Sequence, residues 1–352
     1  MGSHHGNEAP APAGGDVPRR AITSRGVVLG LVVGLPLSAL LLWLAVRGVD
    51  FGDVWAAIQR AEVWLVLLAV PFGLLLFPMQ GLRWRHLVDA PAVPARSAFV
   101  ALAFVGVAIT NVVPGRPGDV ARGIWLGRLG PIPMARSLTS VAVDRSIDVI
   151  TLFAYLLICL PFVSKPDWLV NLVIVGAALT GAALIVLVGA WWYSTHSARG
   201  RARARLTRDD RSWVGHVLSG VVRGLAVLSR PRDFAMALAL SAVGWLGPFA
   251  SGWLVARSLG IDLGFASAVF VIAVIGLGSA IPSSPGMIGT YQWLAVTSMA
   301  VVGVGQADAL AFSVISQATR YIPVTLMGPF AAWWLTRYES SRRNPLEPDV
   351  ER

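Results

Sequence analysis

The sequence predicts an all-α polytopic membrane protein with about six full spans and two broken or re-entrant helical hairpins in inverted orientation. Hydrophobic residues make up 55% of its 352 residues, and several apolar runs reach the roughly 18 residues that a bilayer requires. Two other runs are interrupted by proline and glycine, which end regular helical hydrogen bonding. Irregular backbone at membrane depth must be covered by protein or line a cavity, so the paired interruptions indicate a transport site.

The charge distribution predicts the orientation. The formal net charge is +10, and the arginines lie in short connections between apolar runs, as is typical of cytoplasmic loops beside anionic headgroups. We therefore expect no nucleic-acid partner. We expect a disordered cytoplasmic N-terminus at residues 1–25, a transmembrane domain at 26–336 with a cytoplasmic basic loop at 195–232, and a cytoplasmic tail at 337–352.

Cysteine and histidine usage argues against disulfides and metals. Cys159 is the single cysteine, and its apolar surroundings indicate a packing residue. The five histidines have no metal-ligand spacing. We expect no metal site and no cofactor.

The order of apolar runs gives the predicted topology. Full spans are predicted at Val27 to Val46, Val63 to Met79, Leu138 to Leu160, Leu169 to Trp191, Phe234 to Val255 and Ala309 to Leu335. The second span is taken to end on the cytoplasmic side at Arg83, Arg85 and Arg96. The broken elements, Ser97 to Arg136 and Gly264 to Gly305, then enter from opposite faces. Parity leaves open whether each is a hairpin or a pair of short spans; we favour hairpins.

Both interruptions combine proline with glycine. The residues expected to break the helices are Pro114, Gly115, Gly118, Pro282, Pro285, Gly286 and Gly289. Arg116 and Arg122 flank the first turn, where exposed amides and a helix starting near Asp119 suit a phosphate. The alternatives are a cytoplasmic turn with solvated arginines, and Asp119 as an N-cap or as the partner of Arg122 or Arg145.

Charges also occur inside a predicted full span. Each of Asp144, Arg145 and Asp148 would cost roughly 2.5–3.5 kcal/mol near the bilayer centre. Together with neighbouring hydroxyl residues, the two carboxylates form a polar stripe at intervals of three or four: Ser137, Ser140, Asp144, Asp148 and Thr151. The stripe is either a set of ion pairs that pins neighbouring helices or the charged wall of a cavity.

The last predicted span also carries a cation. Arg320 lies about 17 residues before Arg337, roughly 25 Å of helix, which places it in the outer half of the membrane. The alternative is a side chain that snorkels to the interface. Tyr291 and Gln292 lie near the mouth of the second interruption, where they are either polar lining or packing residues.

The motifs resemble one family. Asn-x-x-Pro-Gly-Arg-x-Gly-Asp-x-x-Arg at 111–122, Asp-Arg-x-x-Asp at 144–148 and Pro-x-x-Pro-Gly-x-x-Gly at 282–289 resemble the lysylphosphatidylglycerol synthase transmembrane region, also called the flippase-like family. The resemblance covers about Val27 to Leu335. In that family the membrane domain is associated with moving lipids, and aminoacylation belongs to a separate soluble domain. Because the chain stops at Arg352, the resemblance implies translocation without lysyl transfer.

The resemblance also assigns individual positions. Its motif positions fall on Arg116, Asp119, Arg122, Arg145 and Asp148, and Arg320 resembles the arginine of the family's last span. Asp144 stands where the family commonly has glutamate, which keeps the charge. Gln292 stands where the family commonly has an acidic residue, which removes it.

The leading hypothesis is a lipid translocase, or flippase, of the bacterial plasma membrane that moves a phospholipid, glycolipid or polyprenyl-phosphate headgroup. Arg116, Arg122, Arg320 and Asn111 would bind the headgroup. Asp119, Asp144, Arg145 and Asp148 would neutralise arginines or couple a proton. The alternatives are a membrane-embedded transferase acting on a lipid-phosphate carrier, and a non-catalytic scaffold. We expect lipids with anionic or glycosylated headgroups as partners and a transporter rather than an enzyme; a homo-oligomer stays open.

Overall fold

The regular structure of the chain is helical throughout the part that the structure describes, which confirms the predicted fold class. The computed structural model describes residues 24–88, 93–113, 117–130, 132–163, 231–279, 281 and 283–343, with a few isolated positions between 170 and 181. The α-helices in these ranges are α1 Ser24–Val46, α2 Phe51–Gln59, α3 Val63–Leu74, α4 Leu76–Leu87, α5 Arg96–Val112, α6 Pro117–Leu129, α7 Met134–Cys159, α8 Pro231–Ser258, α9 Phe265–Gly278, α10 Thr290–Val301 and α11 Gln306–Arg343.

Several helices have the length and composition of membrane spans. Among the described residues these are Val63–Leu87, Arg136–Phe162 and Arg232–Ser258. Val32–Val46 and Phe51–Gln59 would form a fourth span, bent by 82°. The chain is therefore a polytopic membrane protein. The predicted span from Leu169 to Trp191 lies almost wholly outside the described residues, so the predicted total of about six spans stays a prediction.

The second span continues beyond its predicted end at Met79. Helix α3 passes almost directly into α4, which extends to Leu87 and carries Arg83 in its interior. The apolar run ends near Met79, but the buried face of the helix continues through Gln80 and Trp84. The sequence estimate was therefore about two turns too short, because it measured hydrophobicity and not burial.

The two broken elements are pairs of packed helices, α5 with α6 and α9 with α10. In the first pair, Gly118 lies against the Gly106 carbonyl oxygen and the Thr110 hydroxyl, so the chain turns back on itself. In the second pair, Gly278 lies against the Leu294 side chain. Both elements are thus helical hairpins, and the second has a non-helical turn at Gly286.

The first helix of each hairpin is deeply buried. In α9, residues 268–275 are all buried without interruption, and α5 buries Phe99, Leu102 and Phe104. A helix that is apolar on every side requires protein or lipid all around it. Neighbouring helices therefore cover the buried faces of α5 and α9.

The second turn needs glycine at two positions. Gly286 and Gly289 have φ values of 66° and 89°, a conformation that strains other residues. A side chain at Gly286 would also collide with the Tyr321 ring, and one at Gly289 with the Ser38 carbonyl. Of the residues predicted to break the helices, these two and Pro285 lie in the second turn, and Gly118 lies in the first turn of α6. Pro114, Gly115 and Pro282 lie outside the described residues.

The close packing of the first hairpin predicts a difference between two glycines of α6. Gly118→Ala would push a methyl group into the Gly106 carbonyl oxygen, so we expect a markedly lower midpoint of thermal unfolding in detergent. Gly127→Ala is the matched control, because the nearest atom to the added methyl is 3.4 Å away. We expect that variant to be unchanged or more stable by about 0.5–1 kcal/mol. Equal effects of both substitutions would contradict this account of the hairpin.

Candidate functional site

Six charged side chains form a closed ring in which positive and negative groups alternate. Each member pairs with two neighbours of opposite charge, at nitrogen–oxygen distances of 2.6 to 3.3 Å. In order around the ring these are Arg83, Asp144, Arg122, Asp119, Arg145 and Asp148. Helix α4 supplies one member, α6 two and α7 three. The ring therefore connects the second span, the first hairpin and the charged span.

The ring is electrically neutral and mostly buried. Three guanidinium groups face three carboxylates, and the side chains of Arg83, Asp144 and Arg122 are at most 1% exposed. Asp144 lies between two arginines, at 2.7 Å from Arg83 and 3.0 Å from Arg122. Buried charges are tolerated when each is paired and hydrogen-bonded. Each member of the ring is paired, but the buried Nε and Nη1 atoms of Arg122 have no hydrogen-bond partner among the described residues.

Neutral groups extend the ring to α8. Asp148 accepts hydrogen bonds from the Trp245 indole at 3.1 Å and the Gln80 amide at 3.3 Å. The Arg83 guanidinium also donates to the Ser241 hydroxyl at 2.8 Å. The predicted polar stripe on α7 is buried along its whole length, as the spacing indicated. These contacts are those expected from the alternative interpretation, in which the charges form ion pairs that hold neighbouring helices together.

Arg83 is a site residue that the sequence analysis missed and placed at the cytoplasmic end of a span. The structure corrects this placement, because its side chain is 1% exposed and contacts both carboxylates of α7. A signal was available in the spacing: Leu76, Gln80, Arg83 and Leu87 recur every three or four residues and share the buried face of α4. An arginine in phase with an apolar stripe indicates burial more than solvation.

Arg122 was predicted to bind phosphate, and the structure places it within the ring. It pairs with Asp119 and Asp144, and its guanidinium stacks 4.8 Å from the centre of the Trp84 ring. It is not part of the cavity wall. In this arrangement Arg122 is an internal counter-ion, because both carboxylates within its reach already neutralise it.

A cavity of about 150 Å³ lies where the two hairpin turns meet. Its charged wall consists of Asp119, Arg145 and Arg320. Asp119 and Arg145 are the more exposed members of the ring, at 27% and 37% of their side-chain surface. Other polar residues of the wall come from both hairpins and from α11, and they include Thr110, Asn111, Ser279, Ser283, Ser284, Tyr291, Gln317 and Tyr321. The cavity therefore brings together the two motifs that are farthest apart in the sequence.

Helix α11 fastens both turns to each other. Toward the first turn, the Tyr321 hydroxyl donates to the Asn111 carbonyl oxygen at 2.9 Å, and the Asn111 amide donates to Thr325 at 3.0 Å. Toward the second turn, the Gln317 amide donates to the Gly286 carbonyl oxygen at 2.6 Å. Asn111, predicted to bind a headgroup, lines the cavity while its amide nitrogen is used for this bond.

The contacts of Gln292 explain why an amide side chain stands at this position instead of a carboxylic acid. Its oxygen accepts from the Gly289 backbone nitrogen at 2.6 Å, and its nitrogen donates to the Gln317 side-chain oxygen at 2.6 Å. A carboxylate could accept the first bond but could not donate the second. Gln292 therefore helps to hold the second turn in place.

Arg320 differs from the arginines of the ring. Its guanidinium lies 5.6 Å from the centre of the Tyr291 ring and lines the cavity. Within the part of the chain that the structure describes, it has neither a carboxylate partner nor a hydrogen bond. The Tyr291 hydroxyl and the Ser316 hydroxyl are 2.9 Å apart, which fixes the aromatic ring beneath the cation. The cavity thus contains one guanidinium without a counter-ion among the described residues.

The remaining predicted site residue, Arg116, lies outside the described residues. Metal ligation receives no geometric support here: no group of three histidine, cysteine, aspartate or glutamate side chains in the described ranges is placed to hold a metal ion. The three aspartates of the ring face arginines instead.

Neutrality of the ring gives a prediction about stability. Arg83→Gln would leave Asp144 and Asp148 with one partner fewer, and breaking such a buried pair costs about 3–5 kcal/mol. We expect a large fall in the midpoint of thermal unfolding, partly recovered in the double variant Arg83→Gln/Asp148→Asn, which restores neutrality.

The matched control for this prediction is Arg60→Gln. The Arg60 side chain is 66% exposed and pairs with Asp308 at 3.3 Å, so its loss should change little. Similar midpoints for Arg83→Gln and Arg60→Gln would show that the ring does not stabilise the fold.

Comparison with known proteins finds similarity to a protein named as a glycosyltransferase and to two named as membrane proteins. Glycosyltransferase AglD of Haloferax volcanii is 24% identical over 85% of this chain and 53% of its own length. Two proteins of Methanothermobacter thermautotrophicus, each named UPF0104 membrane protein, are 22% and 23% identical. They match 80% and 86% of this chain and 86% and 94% of their own lengths. The chain thus spans about half the length of the glycosyltransferase and most of the other two.

A family model also matches most of the chain. The model of the lysylphosphatidylglycerol synthase transmembrane region matches residues 27–328, a range that includes both hairpins, the ring and Arg320. This match confirms the resemblance carried by the three motifs. The chain belongs to the family of the lysylphosphatidylglycerol synthase transmembrane region.

Proposed function

We propose that this protein is a lipid translocase of the plasma membrane, that it moves a lipid with a phosphate-bearing headgroup, and that both of its termini are cytoplasmic. The observation that carries the proposal is Arg320, a guanidinium in a cavity between two broken hairpins with no counter-ion among the described residues. An anionic ligand would neutralise it. The family membership supports a membrane function but does not itself specify the lipid.

Phosphate suits the chemistry of this wall. Guanidinium groups bind phosphate oxygens through two parallel hydrogen bonds, and such charge-assisted bonds are stronger than neutral ones. Ser283 lines the same cavity, and its hydroxyl can donate to a further oxygen, whereas the Ser284 hydroxyl already donates to the Ile288 carbonyl oxygen at 2.8 Å. Arg145 is half-exposed on the same wall, so a second guanidinium is within the reach of a bound headgroup.

The two turns support transport over static binding. Broken helices that meet at one site are the usual construction of transporters that alternate their access between membrane faces. Here the first turn belongs to a hairpin held by the ion ring, and the second is held by hydrogen bonds from Gln317 and Gln292. Neutral hydrogen bonds exchange with water at a small net cost, whereas breaking a buried ion pair is expensive. We therefore assign the movement to the second turn.

The ring residues would act as charge-coupling residues. Asp119 is the most exposed carboxylate of the ring and pairs with Arg145 at 2.8 Å. A phosphate that reached Arg145 would compete with Asp119 for that guanidinium. In this proposal the ion pair between Asp119 and Arg145 responds to the bound ligand, while Asp144 and Asp148 keep Arg83 in place.

A second candidate function is the processing of a lipid-linked glycan. The relative named glycosyltransferase AglD aligns with 85% of this chain, which favours a role for this membrane region in binding a glycan's lipid carrier. The same phosphate cavity would then hold a carrier lipid for group transfer. A covalently altered lipid after incubation with a sugar donor would distinguish this candidate from translocation.

The test of the proposed function is transport by Arg320→Gln in proteoliposomes that contain labelled phosphatidylglycerol or labelled polyprenyl phosphate. Loss of a charge-assisted hydrogen bond of about 1.5–3 kcal/mol predicts at least a tenfold slower translocation. Arg337→Gln is the matched control, because Arg337 lies on the same helix and stacks on Trp333 at 5.1 Å but is exposed.

Both variants should have the elution profile and thermal unfolding midpoint of the unmodified protein. Equal translocation by the Arg320→Gln and Arg337→Gln variants would contradict the assignment of Arg320 as the residue that binds the phosphate. Absence of movement of either labelled lipid by the unmodified, correctly inserted protein would contradict translocation of these two lipids.

A further inference from the structure

A second groove, of about 210 Å³, lies beside the cavity between the start of α10 and the middle of α11. Its outer rim is apolar and exposed: Ile288 is 53%, Val314 44% and Ile322 54% accessible. The α11 residues of the groove recur every three or four positions and therefore form one face of the helix: Val314, Gln317, Ala318, Tyr321 and Ile322. In a membrane protein, such a face meets hydrocarbon.

Two side chains separate this groove from the cavity. Gln317 and Tyr321 line both spaces, so each has one side toward Arg320 and one side toward the apolar rim. The polar cavity and the apolar groove are therefore adjacent, and these two side chains lie between them. That juxtaposition matches an amphiphile whose phosphate lies on one side and whose chains lie on the other.

We propose that the groove binds the hydrocarbon chain of the transported lipid, and that Gln317 and Tyr321 form the gate between the chain and its headgroup. The inference rests on the proposed function, since it assigns the tails of the same lipid whose phosphate pairs with Arg320. It names the membrane-facing entrance of the site, between α10 and α11.

The gate residues are also the residues that fasten the turns. Gln317 bonds the Gly286 carbonyl oxygen and the Gln292 amide, each at 2.6 Å, and Tyr321 bonds the Asn111 carbonyl oxygen at 2.9 Å. Moving either side chain away from the gate breaks a bond to a hairpin turn. Opening toward the lipid therefore loosens the turns at the same moment, which couples lipid entry to the movement of the second turn.

The experiment uses phosphatidylglycerol with a photoreactive diazirine in its acyl chain, reconstituted with the full chain. Illumination should label peptides that contain Ile288 and Ile322. Ile322→Trp would fill the groove, so we expect labelling of these peptides and translocation to fall at least fivefold. Ile158→Trp is the matched control, because Ile158 is 63% exposed on α7 and lies outside the groove.

Arg320→Gln separates a transported lipid from one that merely surrounds the protein. If one lipid occupies both spaces, loss of the phosphate partner should lower labelling of the groove as well. Labelling that is insensitive to Arg320→Gln would overturn the proposal and leave bulk lipid as the occupant. Dimers joined through the groove by a separate protein-to-protein crosslinker would likewise overturn it, with a second copy of the chain as the occupant.

The two proposals fail in different ways. The groove assignment would be overturned, and the proposed function retained, by either of two results obtained while Arg320→Gln still abolishes translocation. One is label elsewhere on the protein, and the other is undiminished translocation by Ile322→Trp. Arg320-sensitive labelling of the groove without any translocation by the unmodified protein would support the groove as a lipid-chain site and overturn translocation.

Discussion

The fold depends on the neutrality of the buried ring formed by three arginines and three aspartates. Removing any single member leaves a net charge in surroundings where ions are poorly solvated, so the whole set must be present together. Because Arg83, Arg122 and Asp144 come from α4, α6 and α7, this requirement fixes three helices in one arrangement. The first hairpin is therefore anchored to the helical bundle by charge, with packing by α5 in addition.

The second hairpin is held in a different way, and the difference is functional. Its turn is fastened by neutral groups, Gln292 and Gln317, and by the Ser38 hydroxyl, which accepts from the Ser284 backbone nitrogen at 2.7 Å. Each such bond has a small net worth because water can replace it. Helix α11 contacts both hairpins, so it lies between a part that resists rearrangement and a part that permits it. A transporter needs one part of each kind around its site.

The sequence predicted the elements whose signal is local. Proline and glycine marked the second turn, and the intervals of three and four on α7 predicted the buried stripe from Ser137 to Thr151. Arg83 was misassigned because the partner of a guanidinium is set by tertiary contacts: Asp144 is 61 positions from Arg83 along the chain. For Arg122 the sequence left open the pairing with Asp119 that the structure has. The depth of Arg320 in the membrane, which was inferred from helical rise, stays a prediction.

In the proposed function, the selectivity of the cavity for an anionic headgroup comes from Arg320, the guanidinium that the ring does not neutralise. Since the ring neutralises Arg145 and Asp119 internally, its contribution to the charge of the described cavity wall is zero, and Arg320 makes that wall positive. A bound phosphate would bring the count close to neutrality, whereas a cationic headgroup would place two like charges together in a poorly solvated space. Arg320 can serve a ligand only because every aspartate near the cavity is already committed to the ring. The structural role of the ring and the proposed binding role of Arg320 are thus two consequences of one charge balance.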